Sequence, residues 1–267
     1  MRGQFRFKDG YTYRMPAVFR NYPFKRDVRV VYDDCRMICV EQRTEEEALA
    51  QYIPEDFEIA APVVNWSYTN CRGVDFMMGG EYRIMQASAP VRYCGGKESI
   101  DGCYPLVIFE NNAVPVLGGR EEDGMPKVVC DISLDRHFEN HWFAALSSDC
   151  ETIMRMNFRQ EAEMAPSAVE AYNKGAKMAA FGNRCLPSVD RAGCDYQDYI
   201  LYPQEIAAER IFTGRGSVEV IAPAEWYIQP YFSQTLYALS GLPNLGFENA
   251  LRIEGRLRLY VSESRPL

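Results

Sequence analysis

The chain alternates short runs of β-branched and aromatic residues with turns bearing Gly and Pro, and only a few stretches carry helical spacing. Extended segments are expected at Val28 to Tyr32 and Met37 to Val40, then at Pro62 to Tyr68, Tyr82 to Pro90, Pro105 to Glu110, Lys127 to Leu134, Thr152 to Phe158 and Ser217 to Ile221. Runs of this composition suit a pleated, half-buried surface, so the pattern predicts an antiparallel sheet system. Thr44 and Glu47 have the spacing of a capping box, Leu49, Tyr52 and Ile53 fall on one helical face, and Pro54 ends the segment. Helical patterning returns at about Pro166 to Ala180 and Ser233 to Leu239.

The last strand is the clearest. From Leu251 to Val261 the chain puts Leu251, Ile253, Leu257, Leu259 and Val261 on one face and Arg252, Glu254, Arg256, Arg258 and Tyr260 on the other. The apolar face belongs to a core. The polar face meets either solvent or the interior of a barrel that binds something charged.

With 47% hydrophobic residues in 267, the chain has ample material for a core. No internal repeat or linker-length boundary divides it, so residues 1–267 read as one domain, with 1–27 as an N-terminal arm. A net charge of −8 argues against a nucleic-acid partner, and no apolar run approaches a membrane helix. Met1 to Tyr13 lacks the continuous apolar segment of a secretion signal. Nine cysteines, an odd count with no Cys-x-x-Cys pair, read as reduced thiols of a cytoplasmic protein.

Candidate chemistry concentrates between Glu110 and Asp131. Lys127 follows Pro126 and precedes the apolar run Val128, Val129, Cys130, while Gly124 supplies a bend upstream. Pro126 fixes its own φ and biases Met125 toward an extended conformation, so the chain reaches Lys127 on a stiff path. Alternation would give Lys127 and Val129 one face, and Val128 and Cys130 the other. Two readings stay open here: a strand-end ammonium that snorkels to water, and an amine that apolar burial keeps neutral and nucleophilic. The only two histidines, His137 and His141, lie four apart, but Phe138 holds the place where a zinc protease has its glutamate, and a third ligand is missing. No metal site is expected.

Gly119-Arg120-Glu121 followed by Gly124-Met125-Pro126-Lys127 resembles the Gly-Arg-Glu…Gly-Phe-Pro-Lys signature of the acetoacetate decarboxylase superfamily. Upstream, Arg43-Thr44-Glu45, Ala48-Leu49, Ile53-Pro54-Glu55, Phe57-Glu58-Ile59 and Pro62 resemble a second block of that family in the same order, and Gly241-Leu242-Pro243 resembles its C-terminal Leu-Pro-Val. The resemblance implies a mainly β (α+β) fold, an antiparallel β-barrel or double cone with a few packed helices. It also implies a cytoplasmic homo-oligomer that acts on a small oxo acid without a cofactor. Its catalytic device is a Schiff base on the lysine after the proline, Lys127; in acetoacetate decarboxylase itself that amine is activated by desolvation or a neighbouring cation.

The chain departs from the decarboxylases at several places. Val128 stands where they carry a second lysine. Ungapped extension puts Ser67 at one active-site glutamate, the Tyr82 to Met85 stretch, chiefly Arg83 and Ile84, at the other, and Cys35 at the carboxylate-binding arginine. Members that keep the lysine without those acids condense pyruvate with aldehydes and dehydrate the product, or hydrate related oxo-enoates. In them a polar side chain four residues before the lysine and another on the C-terminal strand approach the substrate, which implies Asp123 and Glu254 here. Arg120 and Glu121 are expected as a structural or rim ion pair, with Arg120 or Arg252 as alternative holders of a substrate carboxylate. Trp66, Phe109, Met125 and Tyr82 are the remaining candidate substrate contacts.

Overall fold

The structure, a computed structural model, describes residues 1–24 and 30–267. Val28 and Arg29, the start of the first expected segment, lie outside the described residues. In chain order the strands are β1 (Tyr11–Tyr13), β2 (Asn21–Pro23), β3 (Val30–Arg43), β4 (Phe57–Ile59), β5 (Val63–Val74), β6 (Gly80–Tyr93), β7 (Ile100–Glu110), β8 (Lys127–Val129), β9 (Asp131–Ile132), β10 (Arg136–Phe138), β11 (His141–Ser148), β12 (Glu151–Glu163), β13 (Lys177–Pro187), β14 (Cys194–Val220), β15 (Phe247–Leu259) and β16 (Arg265–Pro266). The helices α1 (Glu46–Ala50), α2 (Ala113–Glu121), α3 (Pro166–Asn173) and α4 (Ser233–Gly241) fill connections between them. None among the described residues is long and apolar enough to cross a membrane.

β1 and β2 pair only with each other, and the other fourteen strands share one sheet. Its path runs β10-β11-β12-β14-β13-β7-β6-β5-β3-β15, and β15 pairs again with β14. The strands from β14 round to β15 therefore wrap about an interior, the mainly β, barrel-like arrangement expected. Pairing is antiparallel except where β7 meets β13 and β8. The long β14 makes the wrap possible because successive parts of it pair with β13, β15 and β12.

Alternation splits β3, β5, β6 and β7 into two faces. Ile38 and Val40, Val64 and Tyr68, Met85 and Ala87, and Val107 and Phe109 point into one dry core, which β12 completes with Met154, Met156 and Phe158 and α4 with Leu236. Phe109 packs edge-on to Phe232 with ring centroids 5.9 Å apart. The opposite face looks into the interior of the wrap.

Several local expectations change. Helix α1 is capped at Glu45 rather than Thr44, with no side-chain cap bond, and the Thr44 hydroxyl is buried without a partner among the described residues. The expected helix from Pro166 to Ala180 ends at Asn173 because Lys177 already pairs with Glu205 in the sheet. His137 and His141 flank a hairpin turn, not a helical face: His137 pairs with Trp142 and His141 with Phe138, so the imidazoles leave on opposite faces. Cys185 and Cys194 form a disulfide where the β13–β14 hairpin brings their Cα atoms to 6.4 Å, so the expectation of nine reduced thiols fails at this pair.

The loop before β8 rests directly on β13. The amide of Asn183 donates to the carbonyl of Gly124 at 2.9 Å, and a Cβ on Gly182 would occupy the space of the Asp123 carbonyl oxygen. Gly124 itself turns with φ of 65°, in the region that favours glycine. Gly182→Ala is therefore expected to lower the stability by about 1–3 kcal/mol, the usual cost of overpacking a backbone contact, read from the urea midpoint.

Candidate active site

The sheet register carries the lysine to the interior. Across adjacent strands Leu251 (β15) faces Cys39 (β3), Cys39 faces Ser67 (β5), Ser67 faces Gln86 (β6), Gln86 faces Ile108 (β7), and Ile108 faces Lys127 (β8). One step along, Ile253, Met37, Thr69, Ile84 and Glu110 make a parallel row. Cross-strand partners share a face, so Lys127 and Glu110 end two rows that both line the interior.

At that end Lys127 Nζ lies 2.9 Å from Glu110 Oε1, with the lysine side chain 16% exposed and the glutamate 0%. Nζ also donates to the Pro115 carbonyl at 3.3 Å. Burial pushes the Glu110 carboxyl up, and the adjacent ammonium opposes that shift. The lysine stem is held from below by α2, where a Cβ on Gly119 would come within 2.6 Å of Lys127 Cδ. Asn112 begins this helix by accepting from the Val114 amide at 2.9 Å, and in its last turn the Gly119 carbonyl accepts from the amide of Met125 at 2.9 Å.

Asp123 reaches the same cavity from the loop after α2. Burial pushes its carboxyl up to about 7, against the pull of Lys127 and with a push from Glu122. Glu122 is gripped by the Arg14 guanidinium, whose second bond, Nη2 to Oε2, is 2.6 Å. Arg14 thus holds the residue next to Asp123.

The cavity around the amine measures about 70 Å³ and is completed by Tyr32, Tyr82, Met125, Tyr202, Gln86 and Gln204. The hydroxyls of Tyr32 and Tyr82 sit 3.0 Å apart. Burial raises all three tyrosines well above their ordinary range, which keeps them neutral donors. This set offers an amine, two carboxyls that hold protons readily and several neutral hydrogen-bonding groups, the equipment for carbonyl addition and proton transfer.

Of the residues singled out from sequence, Lys127, Asp123, Met125 and Tyr82 meet at this cavity. Trp66 points into the dry core, donates to Gln42 Oε1 at 3.0 Å and borders a second, larger cavity. Phe109 does not meet the site: it lies between Ile108 and Glu110 and so faces the core. Arg252 and Glu254 are also displaced from it, because the apolar face of β15, not the polar one, looks inward. The Arg252 guanidinium stacks 4.0 Å from the Phe212 ring centroid and pairs with Glu254, which also meets Arg210. Arg120 stands outside and donates to the Lys127 carbonyl at 2.9 Å, while Glu121 is exposed and accepts from the Met15 amide at 3.4 Å, so they form no mutual pair at a substrate. The sequence reading missed Glu110, Tyr32 and Tyr202. Glu110 carried one overlooked signal, a carboxylate ending the apolar run Leu106 to Phe109 in step with Ile108.

The acetoacetate decarboxylase (ADC) family model matches residues 14–227. Among curated relatives, acetoacetate decarboxylase of Burkholderia mallei is 29% identical over 102 residues, 38% of this chain and 39% of that protein, so the first relatives match over about two-fifths of their own length. The Burkholderia ambifaria enzyme is 25% identical over 234 residues, covering 86% and 85%. The solved acetoacetate decarboxylase of Legionella pneumophila superimposes with a TM-score of 0.72 at 18% identity over 97% of this chain and 90% of that one. The enduracididine biosynthesis enzyme MppR complexed with pyruvate gives a TM-score of 0.67 at 13% identity over 89% of each chain. With a family model spanning most of its length and the same fold beneath it, the chain belongs to the acetoacetate decarboxylase family.

Proposed function

We propose that this chain is a lyase that forms a Schiff base between Lys127 and the carbonyl of a small oxo acid, and that it performs aldol condensation with dehydration, or the related hydration, on pyruvate-type substrates. The observation that carries this reading is the 2.9 Å contact of the Lys127 amine with a fully buried Glu110, in a cavity that also holds Asp123. Glu110, in contact with the amine at 2.9 Å, accepts its proton as the amine turns nucleophile. The amine adds to the carbonyl carbon, the carbinolamine loses water, and the iminium withdraws electrons from the neighbouring carbon. Asp123, near 7, exists in both forms at neutral pH, so its carboxylate removes the α-proton and its acid form returns one. The enamine then attacks an aldehyde, the adduct loses water, and hydrolysis restores Lys127.

The departures from the decarboxylases favour this over loss of carbon dioxide. Ser67 and Ile84 line the interior at the positions that alignment with the decarboxylases gives to their two glutamates, and Val128 packs against the core in place of a second lysine. The pyruvate complex of MppR lends the aldol reading support by analogy. Decarboxylation of a β-keto acid is the second reading, favoured by the named activity of the curated relatives.

Borohydride reduction in the presence of pyruvate is expected to leave one stable adduct on Lys127, located by peptide mass spectrometry, and Lys127→Ala to leave none. An adduct elsewhere on the chain overturns the assignment. Trapping and carbon dioxide release with acetoacetate, in place of pyruvate, would select the second reading.

Asp123→Asn is expected to lower turnover about 10²-fold and to remove a pH inflection near 7. The raised value also bears on stability. The buried acid form is favoured at low pH, and that contribution is lost as pH rises through about 7. The melting temperature of Asp123→Asn relative to the parent should accordingly be higher at pH 8.5 than at pH 4.5.

A further inference from the structure

The cavity at Lys127 does not stand alone. A second cavity of about 340 Å³ adjoins it and shares Ile84, Gln86, Gln204 and Leu257 as common walls. The smaller space suits a carbonyl group and its nearest substituents, whereas the larger is in the range of a pocket that encloses a small ligand. The two register rows that end at Lys127 and Glu110 begin in the larger cavity at Leu251 and Ile253, so one continuous face of the sheet leads from one to the other. We infer that the larger cavity is the subsite for an uncharged, largely apolar chain or ring carried by the carbonyl compound whose reacting carbon sits at Lys127. The inference rests on the Schiff-base reading for the position of that carbon.

The lining supports the chemistry. Met37, Ile206, Leu251 and Ile253 give the lining its apolar part, and Ser67 and Thr69 add neutral hydroxyls. Among the described residues no lysine or arginine lines this space. Its two carboxylates are already engaged, Glu41 by the Asn249 amide and Glu205 by the Tyr260 hydroxyl. A second anionic group on the substrate would find no counter-charge here, whereas methylenes or an aryl ring would leave water for an apolar surface.

The test compares borohydride trapping by pyruvate and by 2-oxooctanoate, which carries five more carbons, as a function of concentration. In each case a C–N bond forms at Lys127, water leaves, and borohydride delivers hydride to the iminium carbon. Half-maximal labelling is expected at a concentration at least about tenfold lower for 2-oxooctanoate, well short of the gain from full burial of every added methylene. Leu251→Phe and Ser67→Phe, from different strands of the wall, should each shrink that ratio to about twofold or less, with folding checked by the melting transition. If pyruvate labels Lys127 and 2-oxooctanoate labels it no better, the subsite is overturned while the amine reading stands. If neither labels, the amine reading falls and non-reactive probes decide the subsite. A larger melting shift with octan-2-ol than with propan-2-ol, lost in Leu251→Phe, supports it, and no dependence on chain length overturns it.

Discussion

A glutamate with no solvent exposure and a lysine amine as its partner is the constraint around which this molecule is arranged. Neither Glu110 oxygen has another polar partner among the described residues. Taking such a group out of water is costly unless an opposite charge or a proton compensates it, so Lys127 and Glu110 are tied to each other. The parallel pairing of β7 with β8 sets their strands side by side, the Gly119 position leaves room for the lysine stem, and the Gly182 position lets the loop carrying Asp123 settle onto β13.

The low polarity that makes the pair demanding also makes it useful. In the proposed reaction a proton passes between an amine and a buried carboxyl with little solvent to reorganise, and Asp123 lies within the same cavity with its affinity for a proton near neutrality. The amine and two buried carboxyls come from β8, β7 and the intervening loop, all within eighteen consecutive residues. A short length of chain thus brings together the chemical groups, while the distant strands build the vessel around them.

That division explains what could be read in the sequence. Lys127 and Asp123 were legible because Gly124 and Pro126 shape the path locally and a motif marks them. Glu110 was not, since its place beside Lys127 follows from the β7–β8 register, and no local pattern encodes a register between strands. Phe109, Arg252 and Glu254 were misplaced for a related reason: alternation divides a strand into two faces without saying which looks into a cavity. On β15 the apolar residues line the cavity and the charged ones form ion pairs on the other side. Helix α2 escaped notice because Pro115, Gly118 and Gly119 weaken its propensity, yet Gly119 is what the lysine requires. The long β14 was visible only at its end, as its burial pattern changes each time it changes neighbour.

The two faces of the central strands also differ in what they can tolerate. Phe109, Tyr68 and Met85 interlock with other side chains, and a large-to-small change in such a core costs about 2–5 kcal/mol. Cys39, Ser67 and Gln86 line open space, so exchanging one for another removes fewer packing contacts. Inheritance can therefore rewrite one side of each strand for a new substrate while the other side keeps the architecture, and a lineage built on this sheet can change its chemistry in single steps without passing through an unfolded ancestor.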